Sequence, residues 1–219
     1  MNSEKFDYGE WTTVIFFILF FLVFALSFTR PKSTRDWRSF GAFAAFIVAL
    51  FVEMYGFPLT IYLLSGWLES RFPEIELFSH ATGHLWHAIF NLEGAPHSHL
   101  LDLISTILIL GGLALLVFAW RVLYKAQQTH TIAKSGLYSL VRHPQYIAFI
   151  LIMMGYLLTW PTVLTFIMFP ILVYMYIRLA RREEEKALQE HGEEYRRYQE
   201  TTSAFLPRIR PGVRQKLVR

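Results

Sequence analysis

"SLVRHPQYIAFILIMMGYLLTWPTVLTFIMFPILVYMYIRLARREEE", residues 139–185, decides the fold. From Pro144 to Ile177 it carries no Asp, Glu, Lys or Arg. A helix that crosses a bilayer needs roughly 20 mostly apolar residues. The run therefore reads as two membrane helices, 145–160 and 162–180, joined by a tight turn at Trp160-Pro161. Charge gathers at both ends of this hairpin: Arg142 and His143 at its head, Arg178, Arg181 and Arg182 followed by Glu183, Glu184 and Glu185 at its foot.

Three further apolar stretches lie upstream: 11–29, 40–66 and 101–124. The first is too long for the apolar core of a signal peptide and is expected to be a membrane helix. The second contains Gly56 and Pro58, which predict a kink or tilt. Hydrophobic residues make up 54% of the 219-residue chain and charged residues 17%, against about 25% charged in an average soluble domain. The expected fold is all-α: a polytopic bundle of about five membrane helices with a C-terminal hairpin and a cytoplasmic helical tail. The expected domains are 1–100, holding two membrane helices and a His-rich loop, and 101–219. With no Cys in the chain, disulfides, thiolate metal sites and a cysteine nucleophile are excluded. No base-reading or phosphate-loop motif occurs, so nucleic acid is not an expected partner.

Loop charge sets the expected orientation, because Lys and Arg favour the cytoplasmic side. Residues 30–38 carry four (Arg30, Lys32, Arg35, Arg38), 67–100 one (Arg71), 121–143 four (Arg121, Lys125, Lys134, Arg142) and the tail from 178 eleven. Every second connection is basic, as five crossings require. This predicts an external N-terminus and a cytoplasmic tail, with residues 139–146 at the cytoplasmic mouth.

Two physical readings fit "VRHPQY". In one, Arg142 anchors to headgroups, Pro144 starts a helix, and Tyr138 and Tyr146 join an interfacial aromatic belt. In the other, His143 caps that helix, whose N-terminal dipole and Arg142 together favour an anion. The tail "RREEEKALQEHGEEYRRY" is rich in helix formers, broken at Gly192. It reads either as a solvated helix with salt-bridge pairs or as a source of acceptors for the mouth of the bundle.

Taken in order, "GLYSLVRHPQY", the hairpin, "REEEKALQEHGEEYRRY" and "PRIRP" resemble the isoprenylcysteine carboxyl methyltransferase-like and phospholipid methyltransferase family over residues 135–211. Ala148 stands where that family usually has Gly, and His191 where it usually has an aromatic. The resemblance implies an S-adenosylmethionine-dependent methyltransferase with a lipophilic acceptor: a prenylcysteine-like carboxylate, a phospholipid amine or a thiol. It implies a cofactor pocket walled by Tyr138, Val141 (through its backbone), Arg142, His143 and Tyr146, and by Glu183 and Glu184, with Glu185 a competitor by one register. No metal is implied. His143 and Arg142 suit the cofactor carboxylate and a Glu suits its ammonium or ribose hydroxyls.

Other polar residues stand out. Glu53 lies mid-run in "ALFVEMYGFPL", and an ionisable residue there is a functional candidate by default; the alternative is a protonated Glu bonded to a neighbouring helix. Arg121 either snorkels or binds an anionic substrate head, and Arg178 has the same choice. Arg121 and Glu53 are the candidates for handling the acceptor, an Arg suiting a carboxylate and a Glu serving an amine as base. His80, His84, His87, His97 and His99 cluster in an external loop. They support an alternative class, a non-catalytic membrane metal- or ligand-binding protein.

Overall fold

The computed structural model describes residues 11–28, 34–56, 59–71, 73 and 99–207. Among these the chain is helical, with no strand beyond one isolated bridge. The helices are α1 (Trp11–Phe28), α2 (Thr34–Tyr55), α3 (Leu59–Arg71), α4 (His99–Gln128), a 3-10 turn (Gly136–Ser139), α5 (Pro144–Thr159), α6 (Val163–His191) and α7 (Glu193–Thr201). Among the described residues three stretches are long and apolar enough to cross a membrane: Arg38–Tyr55, Leu100–Gln128 and Val163–His191. Trp11–Phe20 and Pro144–Thr159 are shorter apolar stretches. The chain is an all-α membrane bundle. The His-rich loop lies outside the described residues except for the backbone of His99, which opens α4.

The hairpin turn forms where Pro161 forbids a continuous helix. Trp160 ends α5, and Thr162 caps α6 by accepting from the Thr165 backbone N–H while the Thr165 hydroxyl accepts from the Thr162 N–H. Along its length α5 packs chiefly on α4. Gly112 and Gly155 make that approach close. A Cβ at Gly112 would lie 3.0 Å from the Ala148 carbonyl oxygen, and one at Gly155 3.0 Å from that of Ser105. Small residues at such crossings let backbones meet where lipid offers no hydrophobic drive. The core fills the space between α2, α5 and α6 with Phe43, Phe46, Phe149, Ile152 and Tyr176, and Phe43 stacks on Phe149 at 4.8 Å between ring centroids.

The apolar run 40–66 departs from expectation. It forms not one kinked helix but two, since α2 ends at Tyr55 and α3 starts at Leu59. Glu53 explains how the break is held. Its buried carboxyl group accepts from the Thr60 backbone N–H at 3.0 Å, an N–H that the start of α3 leaves without an intrahelical partner. The Thr60 hydroxyl in turn accepts from the Val163 N–H at 3.0 Å, at the start of α6. Glu53 and Thr60 together thus tie three helix ends.

Candidate functional site

The opposite end of α6 carries a dense polar cluster. It begins at Gly136, whose φ of +59° suits a residue without a Cβ and turns the chain into the 3-10 segment. Tyr138 is buried there, its hydroxyl donating to Gln145 Oε1 at 3.0 Å. The chain then runs extended through Val141 to His143 and pairs with the tail. Val141 and Ser203 form a parallel bridge, the Arg142 N–H donates to the Ser203 carbonyl at 2.8 Å, and the His143 N–H to that of Ala204 at 3.1 Å. Pro144 opens α5, where a missing N–H costs nothing.

His143 occupies the cap position of α5, but its side chain makes no cap bond. It turns instead to α6. Its Nε2 lies 2.9 Å from Glu184 Oε1, and its Nδ1 lies 3.6 Å from Glu183 Oε2. The second separation suits an ion pair and is too long for a hydrogen bond, so Nδ1 is a buried polar atom with no hydrogen-bond partner. Burial alone would depress the His143 pKa. The two carboxylates outweigh it and raise the pKa above its ordinary value. Tyr146 donates to Glu183 Oε1 at 2.5 Å. Its ring stacks on Tyr176 at 5.3 Å, and the His143 ring lies 5.8 Å from Tyr146 and 5.6 Å from Phe205. Phe205, from the tail, therefore covers the imidazole.

Arg142 reaches both α6 and the tail. Its Nε donates to Glu184 Oε1 at 2.8 Å, and its Nη1 donates to the Gln199 carbonyl at 3.1 Å and to the Thr202 carbonyl. Gln199 Nε2 reaches Glu184 Oε2 at 3.1 Å. The guanidinium is thus spent on clamping the tail. The expected anion seat on free N–H groups is also narrower, because the Arg142 and His143 N–H groups go to the tail and the Val141 N–H to the Leu137 carbonyl.

Of the residues singled out from the sequence, Arg142, His143, Tyr146, Glu183 and Glu184 come together, with Tyr138 and Val141 behind them. Glu185 is exposed. Arg121 is exposed near the end of α4; its neighbour Val122 faces Gly136, so it sits at the same end of the bundle. Glu53 is not brought there. It is linked through Thr60 to Val163, twenty residues before Glu183 on α6, or about 30 Å at 1.5 Å per residue. Gln145, Tyr176, Tyr198, Gln199 and Phe205 complete the cluster and were not singled out. Tyr198 and Gln199 follow Tyr195 at helical spacings of three and four on α7, and Tyr195 and Tyr198 are both buried. That spacing was the available signal.

A helical membrane bundle with a His–Glu–Glu–Tyr cluster, buried at His143 and Tyr146 and half-buried at the two Glu, under a tail strap is the class defined by this geometry. Residues 101–190 match the sequence model of the isoprenylcysteine carboxyl methyltransferase (ICMT) family. Over that stretch, from α4 to the end of α6, the chain is similar to that family. The match starts upstream of "GLYSLVRHPQY" and stops before α7 and the strap. No curated protein and no solved structure matches the chain.

Proposed function

We propose that the chain transfers a methyl group from S-adenosylmethionine to a lipophilic acceptor reached from the bilayer, with the His143 cluster as the cofactor seat. The single observation that carries this is the buried, unpartnered His143 Nδ1 facing a half-buried Glu183 carboxylate. The donor set suits the cofactor: an imidazole for a carboxylate or adenine edge, a carboxylate for an ammonium or ribose diol, and stacked rings for an adenine. When bound, the cofactor supplies a methyl group already activated by its sulfonium, so no Lewis acid is needed.

The protein's own residues then have positional work. Glu183 holds a polar group of the cofactor while Tyr146 fixes that carboxylate. Glu184 fixes His143 in place. Arg142 holds the strap that brings Phe205 over the imidazole and excludes water. Such positioning supplies roughly 7–11 kcal/mol of a bimolecular barrier. Arg121, at the same end, is placed to meet an anionic acceptor. Glu53 serves the fold and not the acceptor. Residues 101–219 form the methyl-transfer core and 1–100 its accessory half. The basic loops put the seat and tail on the cytoplasmic side.

Calorimetry in detergent tests the seat. Glu183→Gln keeps an acceptor and removes a charge that no cation other than His143 shares within the cluster. Its affinity for S-adenosylmethionine should fall about tenfold, as loss of a charge-assisted bond implies. Undiminished binding would remove Glu183 from the seat.

A further inference from the structure

A second polar feature lies beside the cluster without belonging to it. Met175, Arg178, Leu179 and Arg182 follow one another on α6 at intervals of three, one and three, and so share one face. Opposite them on α2, Arg38 and Ala42 share a face at an interval of four. Together with Ser39 and Tyr176 these residues line a groove of about 190 Å³. Arg38, Arg178 and Arg182 are exposed. Among the described residues none of the three makes an ion pair with a carboxylate; in the acidic run after Arg182, Glu183 is engaged by Tyr146 and Glu184 by Arg142 and His143, while Glu185 is exposed. The floor is apolar: Ala42, Met175, Leu179 and the ring of Tyr176.

We propose that this groove binds the phosphate group of an anionic membrane lipid. Three guanidinia present fifteen N–H donors by side-chain chemistry, in forks whose geometry matches phosphate oxygens. Their combined charge exceeds what one carboxylate balances, and a phosphate monoester with about −1.5 to −2 charge meets it better. Arg38 and Arg182 mark the charged ends of two apolar stretches, Arg38–Tyr55 and the membrane part of α6. That is the depth at which headgroups lie, and the apolar floor continues in the direction an acyl chain takes. Tyr176 forms the wall between the groove and the seat, stacking on Tyr146 on its other side. The bound lipid is therefore a neighbour of the seat. The inference stands on the groove alone and holds whether or not the cluster takes S-adenosylmethionine.

The test uses the purified full chain in detergent, with dioleoyl phosphatidic acid, dioleoyl phosphatidylcholine or inorganic phosphate added. Native mass spectrometry counts retained lipid, and tryptophan fluorescence follows melting. Phosphatidic acid should be retained and should raise the melting temperature, with phosphatidylcholine and inorganic phosphate giving much smaller shifts. Replacing Arg38→Gln, Arg178→Gln and Arg182→Gln together should weaken phosphatidic acid binding at least tenfold. The matching Lys variants should keep most of it. Melting in phosphatidylcholine reports whether the triple variant folds; if it does not, the single variants Arg38→Gln and Arg178→Gln carry the comparison. Equal retention of phosphatidic acid and phosphatidylcholine, or an unchanged response in the Gln variants, would overturn the site. A shift from inorganic phosphate as large as that from phosphatidic acid would overturn its assignment to a lipid.

Discussion

Glu184→Ala should cost the fold about 3 kcal/mol, chiefly by releasing the tail. In the intact protein one oxygen of Glu184 receives Arg142 Nε at 2.8 Å, Arg142 Nη2 at 2.8 Å and His143 Nε2 at 2.9 Å, and the other receives Gln199 at 3.1 Å. The Arg142 and His143 side chains are 12% and 4% exposed, so water cannot readily replace the lost carboxylate. Removing one partner of a buried ion pair costs roughly 3–5 kcal/mol. The lower end applies because Arg142 keeps the Gln199 and Thr202 carbonyls and His143 keeps Glu183. For a chain of this size each kcal/mol lowers the melting temperature by about 2–4 °C, hence a fall of about 6–12 °C. Tryptophan fluorescence on heating reads this, and limited trypsin digestion reads earlier exposure of Arg196 and Arg197. In a double-mutant cycle with Arg142→Ala, the two losses should be far from additive, with a coupling of about 1–3 kcal/mol. A melting shift under 2 °C, or simple additivity, would refute the clamp.

The raised pKa of His143 gives a signed pH effect. Its charged form is favoured in the fold, so its stabilisation is complete below about 6.5 and is lost as pH rises through the raised value. The melting gap between the intact protein and His143→Asn should therefore be wider at about pH 6 than at about pH 9, and a gap that widens with pH would contradict the ion pairing. Glu53→Ala should destabilise by about 1–2 kcal/mol through the lost helix cap and leave S-adenosylmethionine affinity unchanged, as calorimetry on the folded fraction can check. Gly155→Leu should separate α4 from α5 and lower the melting temperature by several degrees, because its Cβ alone would press on Ser105. Cysteines placed at Ser98 and Ser139 should react with an impermeant maleimide from opposite sides of the membrane; labelling from one side would defeat the proposed orientation.

The hairpin was legible because charge-free length and Pro161 are read directly from composition and order. The polar cluster was legible in part, because Arg142-His143-Pro144 and the Glu pair are side chains at fixed spacings. What holds them was not. Two of the acceptors that occupy Arg142 are the backbone carbonyls of Gln199 and Thr202, and any residue supplies a carbonyl. The strap meets residues 141–143 through a single parallel bridge, too short to leave an alternating pattern. Glu53 stood out as an ionisable group in an apolar run, as expected, but its role depended on a break that Gly56 and Pro58 announced only as a bend. The arginine groove needed the pairing of α2 with α6, although the spacing of Arg178 and Arg182 was visible.

Incubating the purified chain with methyl-labelled S-adenosylmethionine and an extract of membrane lipids tests the proposed activity most directly. Label should pass into an organic-soluble product with the intact protein, fall at least tenfold with Glu183→Gln, and persist in the presence of a metal chelator. No labelled lipid product from any extract, with S-adenosylmethionine shown to bind, would contradict methyl transfer to a lipophilic acceptor.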